Sequence, residues 1–348
     1  MKFLQLLWLI SLSLAGVSII VMLALVVRRL VLVRRQQRDS KIRGELTPLI
    51  LRYLDGGIAF DTLRDYMHGQ ESVLMSELVA DLLDSVRGDD RERLLELLRR
   101  LEIIEVHFSA LQDPTATRRA AAILGLSLFD DPPVLDRIHD LLDDPDPDVR
   151  LLAAQALSKH RAIGPVRVLV DKLQIGTVHN SRALRTIFRN LTREHTDELI
   201  ELLDGDVSAL AKVLAIDALG RSGNFAVIDA INAMIADESE DIRVATLRAL
   251  ADLGHPQALC TVARALDDER APVRATAATC AWRIGLTDTI PLLVDRLDDD
   301  SWWVRLRAAE ALYMLGETGI KRLRDNATMS SRAARVAGLV LAEKESWA

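Results

Sequence analysis

DDDSWWVRLRAAEALYMLG, residues 298–316, holds an acidic cluster, a Val-Arg pair, Ala-Ala at helical spacing and a closing Gly, and this order recurs along the chain. Val149-Arg150, Ile242-Arg243, Val273-Arg274 and Val304-Arg305 follow one another at steps of 93, 31 and 31, all multiples of one period. Arg119 and Lys212 keep the basic position in weaker copies. Asp113, Asp144, Asp206, Asp237, Asp268 and Asp299 form a second ladder in the same register, and Gly223, Gly254, Gly285 and Gly316 a third. Three ladders that share this period mark a row of repeated supersecondary units. Aromatic residues make up only 4% of the chain, which favours helices with small residues at their contacts over a sheet core.

Each column has a physical task. The Asp opens the turn before a helix, where a carboxylate accepts from unpaired amides and meets the positive end of the helix dipole. Val149, Ala153 and Leu157 share one face of the helix that follows, as do Val304, Ala308 and Leu312. Gly supplies the left-handed residue that ends this helix. In LGHPQAL, residues 253–259, Pro256 suits the first turn of the next one. The Arg is expected to reach a carboxylate or carbonyl of the neighbouring unit, about 10 Å away. Isolated hairpins of this size cannot bury their apolar faces, so the row is predicted to stand through neighbour contacts.

The pattern D-x-x-x-x-V-R-x-x-A-A-x-A-L-x-x-L-G resembles the HEAT-repeat family, in particular its short bacterial type. Residues 237–316 match it best, 144–157 well and 175–236 loosely. The resemblance implies an all-α chain whose body is a right-handed α-solenoid of HEAT-like helical hairpins. Seven repeats are expected over residues 113–329, then a closing helix and tail over 330–348. Residues 44–112 are helix-rich but off register, as in DDRERLLELLRRLEIIEV at 89–106, and read as a helical N-terminal cap.

Residues 3–27, FLQLLWLISLSLAGVSIIVMLALVV, carry no charge. As a helix they would run about 37 Å against roughly 30 Å of hydrocarbon. A single transmembrane helix over residues 1–27 is expected, in place of a cleaved signal peptide, whose apolar stretch is about 7–15 residues long. A basic juxtamembrane segment, 28–43, carries Arg28, Arg29, Arg34, Arg35, Arg38, Lys41 and Arg43, whereas only Lys2 precedes the span. The positive-inside rule then places the body in the cytoplasm and the chain in the inner (plasma) membrane as a single-pass protein. The cations are expected to meet anionic headgroups, at about 1 kcal/mol each.

Residues 1–43 hold eight Lys/Arg against one Asp, +7, which leaves 36 basic and 50 acidic residues, −14, in the rest. Such a body repels phosphates, which argues against nucleic acid. HEAT-like hydroxylases hold a di-iron centre with repeated His-Glu pairs. Here His68, His107, His139, His160, His179, His195 and His255 are followed by Gly, Phe, Asp, Arg, Asn, Thr and Pro, and Glu194-His195 is reversed and single. Walker, GxSxG and HExxH signatures are missing. Cys260 and Cys280 match no metal or redox spacing and read as buried thiols. The expectation is therefore no enzyme activity, no cofactor, no metal and no small-molecule substrate.

Two surfaces stand out as candidates for partner binding. In HNSRALRTIFRNLTREH, residues 179–195, Leu184, Ile187, Phe188 and Leu191 make an apolar stripe while Arg182, Arg185, Arg189 and Arg193 follow on another side. The ladder Asp of this copy is replaced by Ile175. The alternative is an ordinary solvated face paired with acids of adjacent units. In the Trp pair, Trp302 is expected to pack against the neighbouring unit and Trp303 to stand more exposed as an interface anchor, the alternative being a cap over the groove between units.

The expected function is a membrane-anchored cytoplasmic scaffold or adaptor for protein partners, most naturally a membrane complex. A narrower resemblance, to bacterial membrane-anchored HEAT proteins that accompany membrane glycosyltransferases, implies an accessory subunit of such an enzyme or of a polysaccharide-export system. The alternatives are a HEAT-like lyase or hydroxylase and a receptor for basic peptides.

Overall fold

A computed structural model describes residues 2–67, 72–83, 85–176, 181–327 and 332–345, and every regular element among them is helical. The chain divides into two compact units, Met1–Phe129 and Asp130–Ala348.

The first unit contains α1 (Lys2–Leu54), α2 (Phe60–Met67), α3 (Ser72–Leu83), α4 (Asp89–Arg100), α5 (Ile103–Ala110) and α6 (Ala116–Leu126). Leu46, Ile50 and Leu54 recur every fourth residue at the end of α1 and are buried, as are Leu63, Val79, Leu94, Leu97, Leu98 and Ile123. Arg93 donates to the Leu54 carbonyl at 2.8 Å, which satisfies one of the acceptors left over at the end of α1. The Arg100 guanidinium lies 3.7 Å from the centroid of the Phe60 ring.

The expected membrane span is corrected by this unit. Among the described residues no helix is long and apolar enough to cross a membrane. The physical reason lies in α1, which does not stop at Val27. It runs for 53 residues, through the basic segment and into positions built into the unit's core. The apolar run is thus the first half of a longer helix and not a separate element. Described apolar side chains between Ile20 and Val27 are exposed, and the side chains of residues 3–15 lie outside the description. The single-pass inner-membrane localisation falls with the span. Of the seven juxtamembrane cations, Arg29, Arg34, Arg38 and Lys41 are exposed and Arg43 pairs with Asp81 on α3. The side chains of Arg28 and Arg35 lie outside the described residues.

The second unit opens with α7 (Pro132–Asp140) and continues as hairpins: α8 (Pro147–Lys159) with α9 (Val166–Leu173), α10 (Ser181–Leu191) with α11 (Thr196–Asp204), and α12 (Ala209–Gly220) with α13 (Ile228–Ala233). Next come α14 (Glu240–Leu253) with α15 (Leu259–Ala265), α16 (Ala271–Ile284) with α17 (Ile290–Asp295), and α18 (Trp302–Met314) with α19 (Glu317–Ala327). The helices α8, α10, α12, α14, α16 and α18 stack in that order, and α20 (Arg332–Glu345) closes the row against α18 and α19. The starts of α12, α14, α16 and α18 repeat with the period of the ladders. Val149, Ala153, Leu157, Val304, Ala308 and Leu312 are all 0% exposed, as their shared face requires.

The Gly column ends α14, α16 and α18 as expected at Gly254, Gly285 and Gly316, whereas α12 ends at Gly220 and Gly223 lies further on in its turn; all four ladder glycines have φ between 69° and 85°, where an added Cβ would be strained. The Asp column acts one step earlier than a helix cap. Asp144, Asp237, Asp268 and Asp299 accept from the amides of Asp146, Ser239, Arg270 and Ser301, the residues that themselves stand at the N-caps. These are Asx turns that set the chain direction into the helix. Cys280 is buried, and burial pushes its thiol up to about 12, whereas Cys260 is exposed on α15, against the expectation for both. Seven residues make up α15, so its outer face reaches solvent while Thr261, Val262 and Ala265 fill the inner one.

Each ladder Arg does more than reach its neighbour. Arg150, Arg243, Arg274 and Arg305 donate through Nη1 to two carbonyls of their own turn, at 2.6 to 3.3 Å. Arg274 also gives Nε and Nη2 to both oxygens of Asp299 in the next unit, at 2.7 and 2.8 Å. Arg243 meets Asp268 likewise through Nη2 at 3.0 Å. Its Nε lies 2.9 Å from Asp268 Oδ2 but without hydrogen-bond alignment, so this contact is an ion pair only. Lys212 reaches Asp237 more loosely, at 4.0 Å. The position that would serve Arg150 is Ile175, and Arg150 Nε is buried without a hydrogen-bond partner.

Candidate partner-binding surface

Leu184, Ile187 and Phe188 on α10 are 0% exposed and Leu191 is 3% exposed, so the apolar stripe is the buried face of this helix. Arg182, Arg185 and Arg189 lie on α10 and Arg193 in the turn after it, and all four are exposed. None of the four side chains has an ion-pair partner among the described residues. Elsewhere in the unit, arginines bridge successive repeats: Arg161 to Glu194, Arg221 and Arg283 to Asp252, Arg270 to Glu240, Arg296 to Asp267 and Arg332 to Asp300. The pairing with acids of adjacent units, part of the alternative for this row, is not formed among the described residues; Arg248, Arg264, Arg322 and Arg335 are likewise exposed without an ion pair there, so an ordinary solvated face stays the alternative.

The Trp pair divides otherwise than expected. Trp303 is 60% exposed, but Trp302 is also 44% exposed and does not enter a seam. The reason is position: Trp302 is the first residue of α18, with no preceding helical turn to lie against, and its ring meets Trp303 edge-on at 4.9 Å and 73°. Arg307 is committed to Glu310 at 2.7 Å. The sequence showed two adjacent indoles but not that the helix begins between Ser301 and Trp302, which is what exposes both.

A groove of about 880 Å³, not anticipated from the sequence, runs between the turns at 237–238 and 267–269, with Leu292 and Asp295 of α17 and Arg296 just after it also lining it. The runs of acids in those turns were its only visible signal. Four of its carboxylates are already engaged, Asp268 and Glu269 by Arg243, Asp267 by Arg296 and Asp237 by Lys212.

Two arrangements have the look of chemistry and prove structural. His195 Nδ1 lies 2.8 Å from Glu198 Oε1, and Glu198 Oε2 also accepts from the Val166 amide, which holds its carboxyl below the usual range. This pins the start of α11 to that of α9. In the first unit, Ser76 Oγ lies 2.7 Å from His107 Nε2, the spacing of an activated nucleophile. Both residues are buried, at 3% and 1% exposure, and Gly125 closes over the ring, leaving no room for a substrate.

Neighbour-stacked hairpins with these ladders define the class, an α-helical repeat protein. The chain belongs to the HEAT-repeat family: HEAT repeats are matched at residues 104–184, 196–280 and 261–342, more than half of the chain. No curated protein compared with it matches in sequence. Among solved structures it is similar to an engineered protein, at 16% identity and a TM-score of 0.38 over 87% of this chain and 94% of that one. It is similar to human deoxyhypusine hydroxylase, at 21% identity and 0.33 over 70% and 98%. It is also similar to a mutant of Kap121p, at 13% identity and 0.48 over 80% and 40%, so it spans two fifths of that protein's length. At these values none of the three transfers an activity or ligand to this chain. Neither the family match nor these structures name a glycosyltransferase or a polysaccharide-export system.

Proposed function

We propose that the chain is a scaffold that binds a protein partner on its second unit, with Arg182, Arg185, Arg189 and Arg193 as a docking row and Trp303 as a second anchor. One observation carries this reading: four exposed guanidiniums follow one another along α10 and the turn after it, with no ion-pair partner among the described residues, whereas several other arginines of the unit close on acids of adjacent repeats. Repeat arrays expose long helical faces, and Arg and Trp are enriched among residues that dominate interfaces. Crosslinking in intact cells followed by mass spectrometry is expected to join peptides from 181–193 or 302–314 to a second protein. If links to other proteins never involve the second unit, the reading fails. Trp303→Ala should weaken recovery of that partner and leave the melting temperature nearly unchanged, since its ring is 60% exposed. A fall of several degrees would assign Trp303 to stability.

The acidic groove favours a second reading, a receptor for basic peptides. Arg243, Arg296 and Lys212 already pair with four of its carboxylates, which leaves less charge for a peptide than the lining implies. Binding of Lys/Arg-rich peptides on an array, lost on Glu238→Lys, would promote this reading over the first.

A further inference from the structure

Successive residues of a helix turn by about 100°, so Arg182, Arg185 and Arg189 lie within about 60° of one another around α10. They stand roughly opposite the buried Leu184, Ile187, Phe188 and Leu191. The next helix repeats this division with the other sign. On α11, Leu199, Leu202 and Leu203 are buried, and Asp197, Glu201 and Asp204 are exposed on the far side. Like the arginines, these three carboxylates have no ion-pair partner among the described residues.

The two stripes mirror each other along the chain. Arg189 and Asp197 each stand four residues from Arg193, Arg185 and Glu201 eight, and Arg182 and Asp204 eleven. The short turn between α10 and α11 reverses the chain, which sets each arginine at about the height of one acid. Yet no ion pair joins the two helices among the described residues. The reason is the layering: α10 stacks between α8 and α12, α11 lies beside α9, and the apolar stripes of the hairpin face inward between these layers. The charged stripes therefore look out on opposite sides. Charges that match in height but cannot meet within one hairpin can meet between two chains.

We infer that the arginine stripe of α10 docks on the acidic stripe of α11 in a second copy of the chain, an inference that rests on the docking role given to this row above. Charge complementarity and spacing name the occupant. From Arg189 back to Arg182 the rises along α10 are about 6 and 4.5 Å, and from Asp197 to Asp204 along α11 they are again about 6 and 4.5 Å. Laid antiparallel, the helices pair Arg189 with Asp197, Arg185 with Glu201 and Arg182 with Asp204. Each guanidinium fork can take a carboxylate through two parallel hydrogen bonds. The contact is heterologous, since each copy gives its arginines to one neighbour and its acids to another. Growth then continues to a ring or an open row and does not stop at a two-fold dimer. Exposed ion pairs are weak singly and screened by salt, so association is expected above about 0.1 mM chain at low salt and is lost at about 0.5 M.

The test is sedimentation velocity on the full chain and on two charge reversals, Arg185→Glu with Arg189→Glu and Asp197→Arg with Glu201→Arg. The unaltered chain is expected to shift to larger species as its concentration rises, and each reversal, which sets like charges against each other, to resist that shift. An equimolar mixture of the two reversals is expected to associate again, because each then meets the opposite sign on the other, and this rescue also shows that both are folded. Association unchanged by either reversal, as contact through the exposed apolar side chains of α1 would give, overturns the inference, and so does a mixture that stays dissociated. Where a reversal fails to fold, Arg185→Gln carries the test: about threefold weaker association is expected, and no change overturns it. In cells, chains of mixed isotopic label are expected to give crosslinks between 181–193 of one copy and 196–204 of another. Links from 181–193 to other proteins alone would defeat self-docking and leave the scaffold standing, whereas links between copies alone would do the reverse.

Discussion

Arg274 and Arg150 hold the same place in their repeats, and the residue 25 positions further on makes them unequal. For Arg274 that residue is Asp299, whose side chain is 4% exposed; for Arg150 it is Ile175. Burial pushes the Asp299 carboxyl up, and the hydrogen bonds from Arg274 and Ser301 more than reverse it, so the group sits below the ordinary carboxylate range. Arg274→Ala strands a buried carboxylate and is expected to cost about 3 kcal/mol. Arg150→Ala frees only two carbonyls and should cost about 1 kcal/mol. Urea unfolding of the two variants checks the order, and equal losses would deny the ladder its role. His107 offers a second prediction at this scale. Burial holds its imidazole below the usual value, so the neutral ring is the folded form. A group with a depressed folded pKa stabilises fully above its unfolded value, near 6.5 for His, and that contribution disappears as pH falls below it. The melting temperature of the first unit is expected to drop between pH 7 and pH 5, with a flatter profile in His107→Gln, which keeps a partner for Ser76. An unchanged profile would place the acid sensitivity elsewhere. Gly125→Ala would set a Cβ 2.3 Å from His107 Nε2 and displace the ring.

Helix packing in the second unit turns on which face carries small residues. Gly220 lets α12 touch α14, and Gly220→Ala would place two Cβ atoms 2.5 Å apart, which is expected to cost about 2 kcal/mol by forcing the helices away from each other. Thermal unfolding of that variant should show a clear loss, and a neutral result would mean that the stack tolerates wider spacing. How far such contacts were legible in the sequence depends on how local their cause is. The left-handed Gly at 254 and 285, the Val-Arg pairs and the buried stripe of α10 follow from residues within one hairpin, so their spacing alone shows them. The exposed face of α10 does not, because Arg185 is unusual only against five other helices whose same face is buried. Trp302 was misplaced for a related reason: its surroundings depend on where α18 starts, and helix boundaries are the least determined feature of a sequence pattern. The span expected at residues 3–27 rested on composition alone, whereas α1 shows that stretch continuing into a charged helix with a buried end.

Arrays of this kind open and close by neighbour contacts, so stability is distributed along the row instead of being held in one core. In the second unit the ionic contacts between repeats are graded. Arg274 grips Asp299 through two hydrogen bonds, Arg243 meets Asp268 through one, Lys212 stands 4.0 Å from Asp237, and the ladder lapses at Ile175. The row should therefore open most readily around α10 and hold best from α14 to α18. Native-state hydrogen exchange read by mass spectrometry is expected to show lower protection in α10 and the start of α12 than in α16, by about 2 kcal/mol of opening free energy. Uniform protection across the unit would mean that apolar stacking alone couples the repeats, and slower exchange in α10 than in α16 would reverse the gradient.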